Sequence, residues 1–369
     1  MFQVLKKSKK SQARLGELLT ARGKVATPFF MPIATKAAVK SLTVAELKDL
    51  GAQIILSNTY HNLLRPGLEV FKKNRDLHTF MDCDLPILTD SGGYQVFSLS
   101  KLRKIKGDTI EFQSHLDGRR HILTPKKVID IQVALGSDIM MVLDECVGLP
   151  TSRQKALEAL ERTSDWAKLA IDYKKKLDKK SVKIKKQLIF GIVQGADFKD
   201  LRRQSVKDLK ALDFDGYAIG GLAVGEPTKT LYQIAKYTAA LLPAEKPRYL
   251  MGVGYPENIL QAVKDGIDMF DCVIPTREAR HGKLYLPKGK ELIKNAKVSY
   301  QTINIFNAKF AKDFRPINNT NLKNYSRAYL HHLFKSQEPL ALRLATLNNL
   351  KFYLDFLVLI RQNIKKGIL

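Results

Sequence analysis

Met269-Phe-Asp-Cys-Val-Ile-Pro275 is an apolar run interrupted by one carboxylate, Asp271. Pro275 lacks a backbone N–H and is expected to end a strand there. A polar loop carrying Arg277, Arg280 and His281 is expected to follow, up to Gly282. An acid on a short buried strand that opens into a basic loop is suited to nucleophilic or proton-transfer chemistry beside a phosphate-bearing substrate. A salt-bridged aspartate at a strand end is the simpler reading and, taken alone, the more frequent one.

Seven comparable runs precede this one: Phe29–Thr35, Ile54–Tyr60, Ile87–Gly93, Ile139–Glu145, Leu188–Gly195, Gly216–Leu222 and Arg248–Gly254. Their apolar character is continuous rather than alternating, as in parallel strands buried on both faces. Helix signals lie between them. Thr43-Val-Ala-Glu46 is a capping box with Gly51 as its stop, and Thr124-Pro125 opens another helix. Ser152 to about Lys180 reads as a long charged helix, Lys174 to Lys186 as a solvated helix end and linker, and Glu257–Gly266 as a short helix. Eight such units predict an α/β chain folded as a (β/α)8 TIM barrel, for which ~250 residues suffice. A doubly wound open sheet is the competing architecture, and the count of eight disfavours it.

The barrel is expected over residues 1–282, with a hairpin insertion at about 108–123 signalled by Leu116-Asp-Gly-Arg119. Residues 283–369 are expected to add a hairpin at Lys283–Lys294, turning at Pro287-Lys-Gly289, and then helices packed on the barrel. Leu330, Leu333, Leu340, Leu344, Leu347, Phe352, Phe356, Leu359 and Ile360 recur there near helical spacing.

Charge narrows the partners. The 369 residues carry 62 Lys+Arg against 36 Asp+Glu, a net charge of +26. Half of that excess lies between Arg277 and Leu369, which favours a polyanion such as RNA. No apolar run is long enough to span a bilayer, so no membrane partner is expected. Cys83, Cys146 and Cys272 are scattered and odd in number, which fits free thiols in the cytoplasm.

In a barrel of this kind functional groups sit at the C-terminal ends of strands. Those ends supply Asp90-Ser-Gly-Gly-Tyr-Gln95, Asp144-Glu-Cys146, Gln194-Gly195, Gly220-Gly-Leu-Ala-Val-Gly-Glu226, Met251-Gly-Val-Gly254 and Asp271. The set suits a planar heterocycle. Asp144 can accept from a guanine-like N–H edge, while Gln194 and the Gly221 N–H donate to its carbonyl. Tyr94 and Met251 are placed to cover its faces. Asp90 and Asp271 then remain as acid/base and nucleophile, the division of labour in retaining glycosyl chemistry.

These motifs, together with Ser57-Asn-Thr-Tyr-His61 and Tyr325-Ser-Arg-Ala-Tyr-Leu-His-His332, resemble the signatures of bacterial tRNA-guanine transglycosylases from about Leu15 to the C-terminus. The resemblance implies a barrel that replaces guanine at the tRNA wobble position with 7-aminomethyl-7-deazaguanine, in the pathway to queuosine. It implies Asp271 as nucleophile and Asp90 as proton acceptor. It implies base contacts from Ser91, Gly92, Gly93, Tyr94, Asp144, Gln194, Gly221, Leu222, Glu226 and Met251. The Leu222 carbonyl would take the aminomethyl group, with Glu226 behind that peptide. Gly252, Val253, Gly254, Tyr255, Pro256, Glu257, Asn258, Thr276, Arg277, Glu278, Ala279 and Arg280 would hold the anticodon loop of a tRNA with a G-U-N anticodon. A homodimer is also implied.

One departure stands out. The family binds a structural zinc through Cys-x-Cys-x-x-Cys and a later His. Ile317, Asn319, Leu322 and Asn348 occupy those positions, and none is a normal zinc ligand. No metal or other cofactor is therefore expected. The subdomain should instead close on Ile317, Leu322 and neighbouring leucines, with Asn319 hydrogen-bonded to Asn348.

Four other readings compete. An archaeal-type enzyme acting in the tRNA D-arm is disfavoured by Leu222-Ala-Val-Gly-Glu226, which resembles the bacterial pattern. A catalytically silent tRNA-binding subunit would be free to lose Asp90, Asp144, Gln194 and Asp271, all of which are present. A variant that salvages queuine itself is compatible with the same motifs. A retaining glycosidase fits poorly with the charge and with Trp166 as the only tryptophan.

Overall fold

In the computed structural model, which describes residues 2–73, 75–99, 103–289 and 292–369, the eight runs form one closed parallel barrel. Its strands are Phe29–Met31 with Ile33–Ala34, then Ile55–Ser57, Ile87–Thr89, Ile139–Met141, Leu188–Val193, Gly216–Ile219, Arg248–Leu250 and Met269–Asp271. The first strand is broken at Pro32, which cannot donate to the ladder. Its two halves close the ring. Asp271 pairs with Met31 on one side, and Ile33 pairs with Leu56 on the other. Most strand residues are fully buried, as continuous apolar runs require.

The helix signals are realised. Thr43 and Glu46 make both bonds of the capping box. Thr124 caps Pro125–Leu135, Ser152 caps the 26-residue helix Arg153–Asp178, and Pro256–Lys264 follows the seventh strand. Several expectations are corrected. The segment after Asp271 is the helix Ile274–Arg280, not a loop, because Pro275 falls in its first turn, where a missing N–H is harmless. Lys174 is buried and bonded to Asp178 at 2.5 Å, and Val182–Lys185 adds a short helix, so that stretch is not simply solvated.

The first insertion has three strands rather than two: Arg103–Lys106, Thr109–Gln113 and Arg120–Leu123, the last pair joined through the Asp-Gly turn. The second expected hairpin does not form as read. Lys283–Pro287 pairs with the distant strand Tyr300–Asn304, while the tight turn is at Asn295–Ala296, both with positive φ. Strand register was decided there by long-range packing rather than by the local Pro-Lys-Gly signal.

A three-stranded sheet, Phe2–Lys7, Arg14–Thr20 and Gly23–Thr27, precedes the barrel. Arg14 pairs with Asp268 at 2.6 Å and Arg22 with Asp138 at 3.2 Å, residues just before the eighth and fourth strands. The sheet therefore lies across the N-terminal mouth and leaves the opposite rim open.

After Ser326 the chain forms Arg327–Lys335 and Pro339–Lys365. The second of these buries Phe352, Tyr353, Phe356 and Ile360 in the barrel's own core. A separate apolar core joins Ile317 and Leu322 to Phe310, Leu330, Leu333, Phe334 and Leu344. The expected Asn319–Asn348 bond is absent. Asn319 is exposed, and it is Asn318 that donates to Asn348 at 3.0 Å while its own oxygen accepts from the Thr320 and Leu322 N–H groups. No described helix is long and apolar enough to cross a membrane.

Candidate active site

Asp271 ends the eighth strand with its carboxylate buried. Tyr249 Oη donates to its Oδ1 at 2.6 Å and the Gly252 N–H donates to the same oxygen at 2.8 Å. Oδ2 has no partner among the described residues. Burial pushes this carboxyl above its ordinary range, and the two donors oppose that shift. No described cation pairs with Asp271, so the salt-bridge reading of this acid does not hold.

Asp90, at the end of the third strand, is cradled from the second. Asn58 Nδ2 donates to Oδ2, and the Thr59 and Gly92 N–H groups donate to Oδ1 at 2.9 and 3.1 Å. Burial raises Asp90 to about 7. The Thr59 and Gly92 N–H groups act against that rise, and the charges of Asp271 and Asp144 add to it. The Asp90 carboxyl thus feels the charge of both other acids.

Asp144 is pushed up to about 6, chiefly by burial, with Gln194 and Ser91 holding its ionised form. Gln194 Nε2 donates to Asp144 Oδ2 at 2.8 Å, and Ser91 Oγ faces Oδ1 at 3.3 Å. The Gln194 amide is thus engaged with Asp144, while its Oε1 is buried without a partner. That orphan sits against Gly221, where a Cβ would lie 2.5 Å from it. Gly221 also has φ +64°, so only glycine fits both the backbone conformation and the space. Gly93 is constrained by space alone, with Asp144's carbonyl 2.7 Å from where its Cβ would stand.

Beyond Gly221, Glu226 accepts the Ala223 and Val224 N–H groups at 2.5 and 3.0 Å. The Ala223 N–H belongs to the peptide whose carbonyl is Leu222's, so Glu226 stands behind that carbonyl. Tyr94 is exposed and Met251 half-buried at the rim. An open cavity of ≈ 630 Å³ lies beside these groups, lined by Tyr94, Phe97, Cys146, Lys155 and Val224 among others.

The residues expected to hold RNA divide in two. Gly252, Tyr255, Glu257 and Arg277 are exposed, and Asn258, Glu278 and Arg280 are half-buried. Val253, Gly254, Pro256, Thr276 and Ala279 are buried, and Ala279 is part of the subdomain core. Several of the accessible ones are already engaged: Asn258 with Tyr232, Glu257 with Tyr300, and Arg280 with the Thr276 carbonyl. Arg277 is the most available cation of the set, its nearest carboxylate being Glu278 at 3.9 Å.

Sequence reasoning did not single out Asn58, Thr59, Tyr249 or Arg202. The first two lay inside a quoted motif, and Tyr249 is a hydroxyl in an otherwise apolar strand. Arg202 gave no signal, because it sits among ordinary helical charges yet is fully buried.

A (β/α)8 barrel whose open rim joins three buried carboxylates, none ion-paired with a described cation, to a heterocycle-sized set of polar groups fits a glycosyl-transfer enzyme. Residues 8–369 match the family described as Queuine tRNA-ribosyltransferase, and this chain belongs to that family. Proteins named queuine tRNA-ribosyltransferase are similar to it along its length. That of Caldanaerobacter subterraneus subsp. tengcongensis is 49% identical over 369 residues, spanning 99% of this chain and 93% of the relative. That of Desulforapulum autotrophicum is 49% identical, spanning 99% and 95%, and that of Listeria monocytogenes serotype 4b is 48% identical, spanning 98% and 91%.

Proposed function

We propose that this chain exchanges guanine at the wobble position of tRNA with a G-U-N anticodon for 7-aminomethyl-7-deazaguanine, in queuosine synthesis. The observation that carries the reading is the Asp271 carboxylate, with one oxygen fixed by Tyr249 and Gly252 and the other without a partner among the described residues. In the first half-reaction Oδ2 bonds to C1′ of the ribose as the C1′–N9 bond breaks. The electron pair leaves with guanine, which takes a proton from Asp90. In the second half-reaction Asp90 recovers a proton from the entering base, whose nitrogen bonds to C1′ and releases Asp271. A carboxyl raised to about 7 can serve in both directions near neutrality. Asp144, Gln194 and Gly221 would read the base edge, and the Leu222 carbonyl would receive the aminomethyl group.

The excess of positive charge supports tRNA as partner, with Arg277 on the phosphate-facing side. Exposed aromatics support the homodimer: Tyr325 and Tyr329 stack at 6.2 Å, and Phe314 stands 80% exposed nearby in sequence. The residues at the family's zinc positions do not fit a metal. Ile317 and Leu322 are buried in an apolar core and Asn348 is already hydrogen-bonded, so the enzyme is read as metal-free. It is placed in the cytoplasm, where free cysteines and its RNA substrate coexist.

A second reading, salvage of queuine itself, is favoured by the cavity beside Cys146 and Val224, which leaves room for a larger 7-substituent. Incorporation of labelled guanine, 7-aminomethyl-7-deazaguanine and queuine into tRNA bearing a G-U-N anticodon tests both. No exchange with any of the three would overturn the function, and queuine as the preferred base would select the second reading.

A further inference from the structure

Arg202 lies on the helix Lys199–Lys210, directly behind the wall that ends the sixth strand. It is fully buried, and every side-chain hydrogen bond it makes among the described residues goes to a backbone carbonyl. Nε donates to Ala196 at 2.8 Å. Nη1 donates to Val193 at 3.0 Å and to Gly220 at 2.7 Å, and Nη2 donates to Gly221 at 3.2 Å. No described carboxylate forms an ion pair with it. A buried cation without a counter-charge is expensive even after relaxation. Four carbonyls could be satisfied by neutral groups, so a need for hydrogen bonds alone does not explain a guanidinium here.

The peptide it grips explains it better. The Gly220 carbonyl and the Gly221 N–H belong to one peptide unit. A cation bonded to that carbonyl draws electron density from the amide and strengthens its N–H as a donor. Among the described residues that N–H reaches the Cys146 thiol and no oxygen. The neighbouring Gln194 Oε1 is likewise buried and unpartnered. The Gly221 N–H thus has only a weak sulfur acceptor, and it lies beside an oxygen with no described partner.

We infer that Arg202 is a positioning residue for the departure and entry of the base. It fixes the Gly220–Gly221 peptide and polarises it, so that the Gly221 N–H stabilises the charge that develops on the base carbonyl. This rests on the reading that Gly221 faces the base. As the C1′–N9 bond breaks, its electron pair spreads through the heterocycle onto the carbonyl oxygen, and a preorganised donor there acts as an oxyanion hole does. The charge comes from a side chain that never touches substrate.

Arg202→Gln keeps some donors and removes the charge; Arg202→Lys keeps the charge and loses the fork. For each, the single-turnover rate of the covalent RNA adduct, the tRNA Kd and the melting temperature are measured. The kcat for entry of 7-cyano- and 7-methyl-7-deazaguanine is compared as well. Direct oxyanion donors contribute 10²–10³ in kcat, so an indirect one should contribute roughly 10- to 100-fold. The glutamine variant should lose that much in adduct rate with tRNA Kd little changed, and the lysine variant should recover part of it. The defect should be smaller for the cyano base, whose anion is stabilised by its own substituent.

A purely structural role would lower both bases alike and would track tRNA affinity and melting temperature; that outcome, or wild-type rates in the glutamine variant, overturns the inference. If the glutamine variant does not fold, Arg202→Lys carries the same two-base comparison. Equal defects or wild-type rates there overturn it too, because a lysine cannot bond four carbonyls at once. Should Asp144→Asn leave the KM for guanine unchanged, it is the base-site reading that has failed, and that result is separable from these.

Discussion

Tyr249 and Asp271 lie on adjacent strands, and the phenol donates at 2.6 Å to one carboxylate oxygen while the other has no partner among the described residues. The bond holds one oxygen in place and, in the proposed reaction, leaves the other to attack the ribose. It also opposes the upward push of burial, since a donor to the ionised form favours it. Tyr249→Phe should therefore still form the covalent adduct but more slowly, by about tenfold for one charge-assisted bond worth ~1.5 kcal/mol. The pH at which adduct formation rises should move upward. Asp271→Asn should bind tRNA and form no adduct on denaturing gels; an adduct in that variant would shift the nucleophile to Asp90.

Asp144 should govern affinity for the base rather than for RNA. Losing a buried charge-assisted bond costs about 1.5–3 kcal/mol, so Asp144→Asn should raise the KM for guanine by roughly 10- to 100-fold. Its tRNA Kd should stay near that of the wild type. A guanine KM that does not move removes Asp144 from base recognition.

Asp90 predicts a pH dependence of both rate and stability. Entry of the new base needs the carboxylate, so that half-reaction should rise as pH passes about 7. It should be about tenfold slower at pH 6 than at pH 8. The sign for stability is opposite. The folded value lies above the ordinary 3.8, so this group's contribution is fully present below that pH and is lost as pH climbs through about 7. Urea midpoints at pH 5 and pH 8 should differ less in Asp90→Asn than in the wild type. An unchanged difference would show that Asp90 is not the titrating group.

Arg277 should make a phosphate contact. Arg277→Ala should reduce the slope of log Kd against log salt by roughly one unit. Lost thermal stability with an unchanged slope would instead mean that the arginine serves the helix Ile274–Arg280.

The subdomain should be stable without metal. Elemental analysis should find well under one zinc per chain, and a chelator should leave exchange activity intact. Ile317 is fully buried in the apolar core, so Ile317→Ala should destabilise the protein by about 2–5 kcal/mol. Stoichiometric zinc in the purified protein would refute the metal-free reading.

The barrel itself was legible because a strand buried on both faces must be apolar throughout, and eight such runs can be counted in Phe29–Pro275 without knowing their neighbours. Helix starts were legible for a related reason: Thr43, Thr124 and Ser152 act on N–H groups three residues away. Asp90, Asp144 and Asp271, the acids of the candidate site, could be read as ends of those runs. Whatever depended on partners remote in the chain could not. Lys283–Pro287 gave no hint that it pairs with Tyr300–Asn304, and Asn318 rather than Asn319 meets Asn348. The cradle of Asn58 and Thr59 around Asp90, the Tyr249 bond to Asp271 and the burial of Arg202 beneath Gly220 and Gly221 were decided only when the barrel closed. The physical reason is range. Periodicity, capping and turn preferences act over a few residues and are written locally, whereas burial and hydrogen bonding between strand ends exist only once the whole ring has formed.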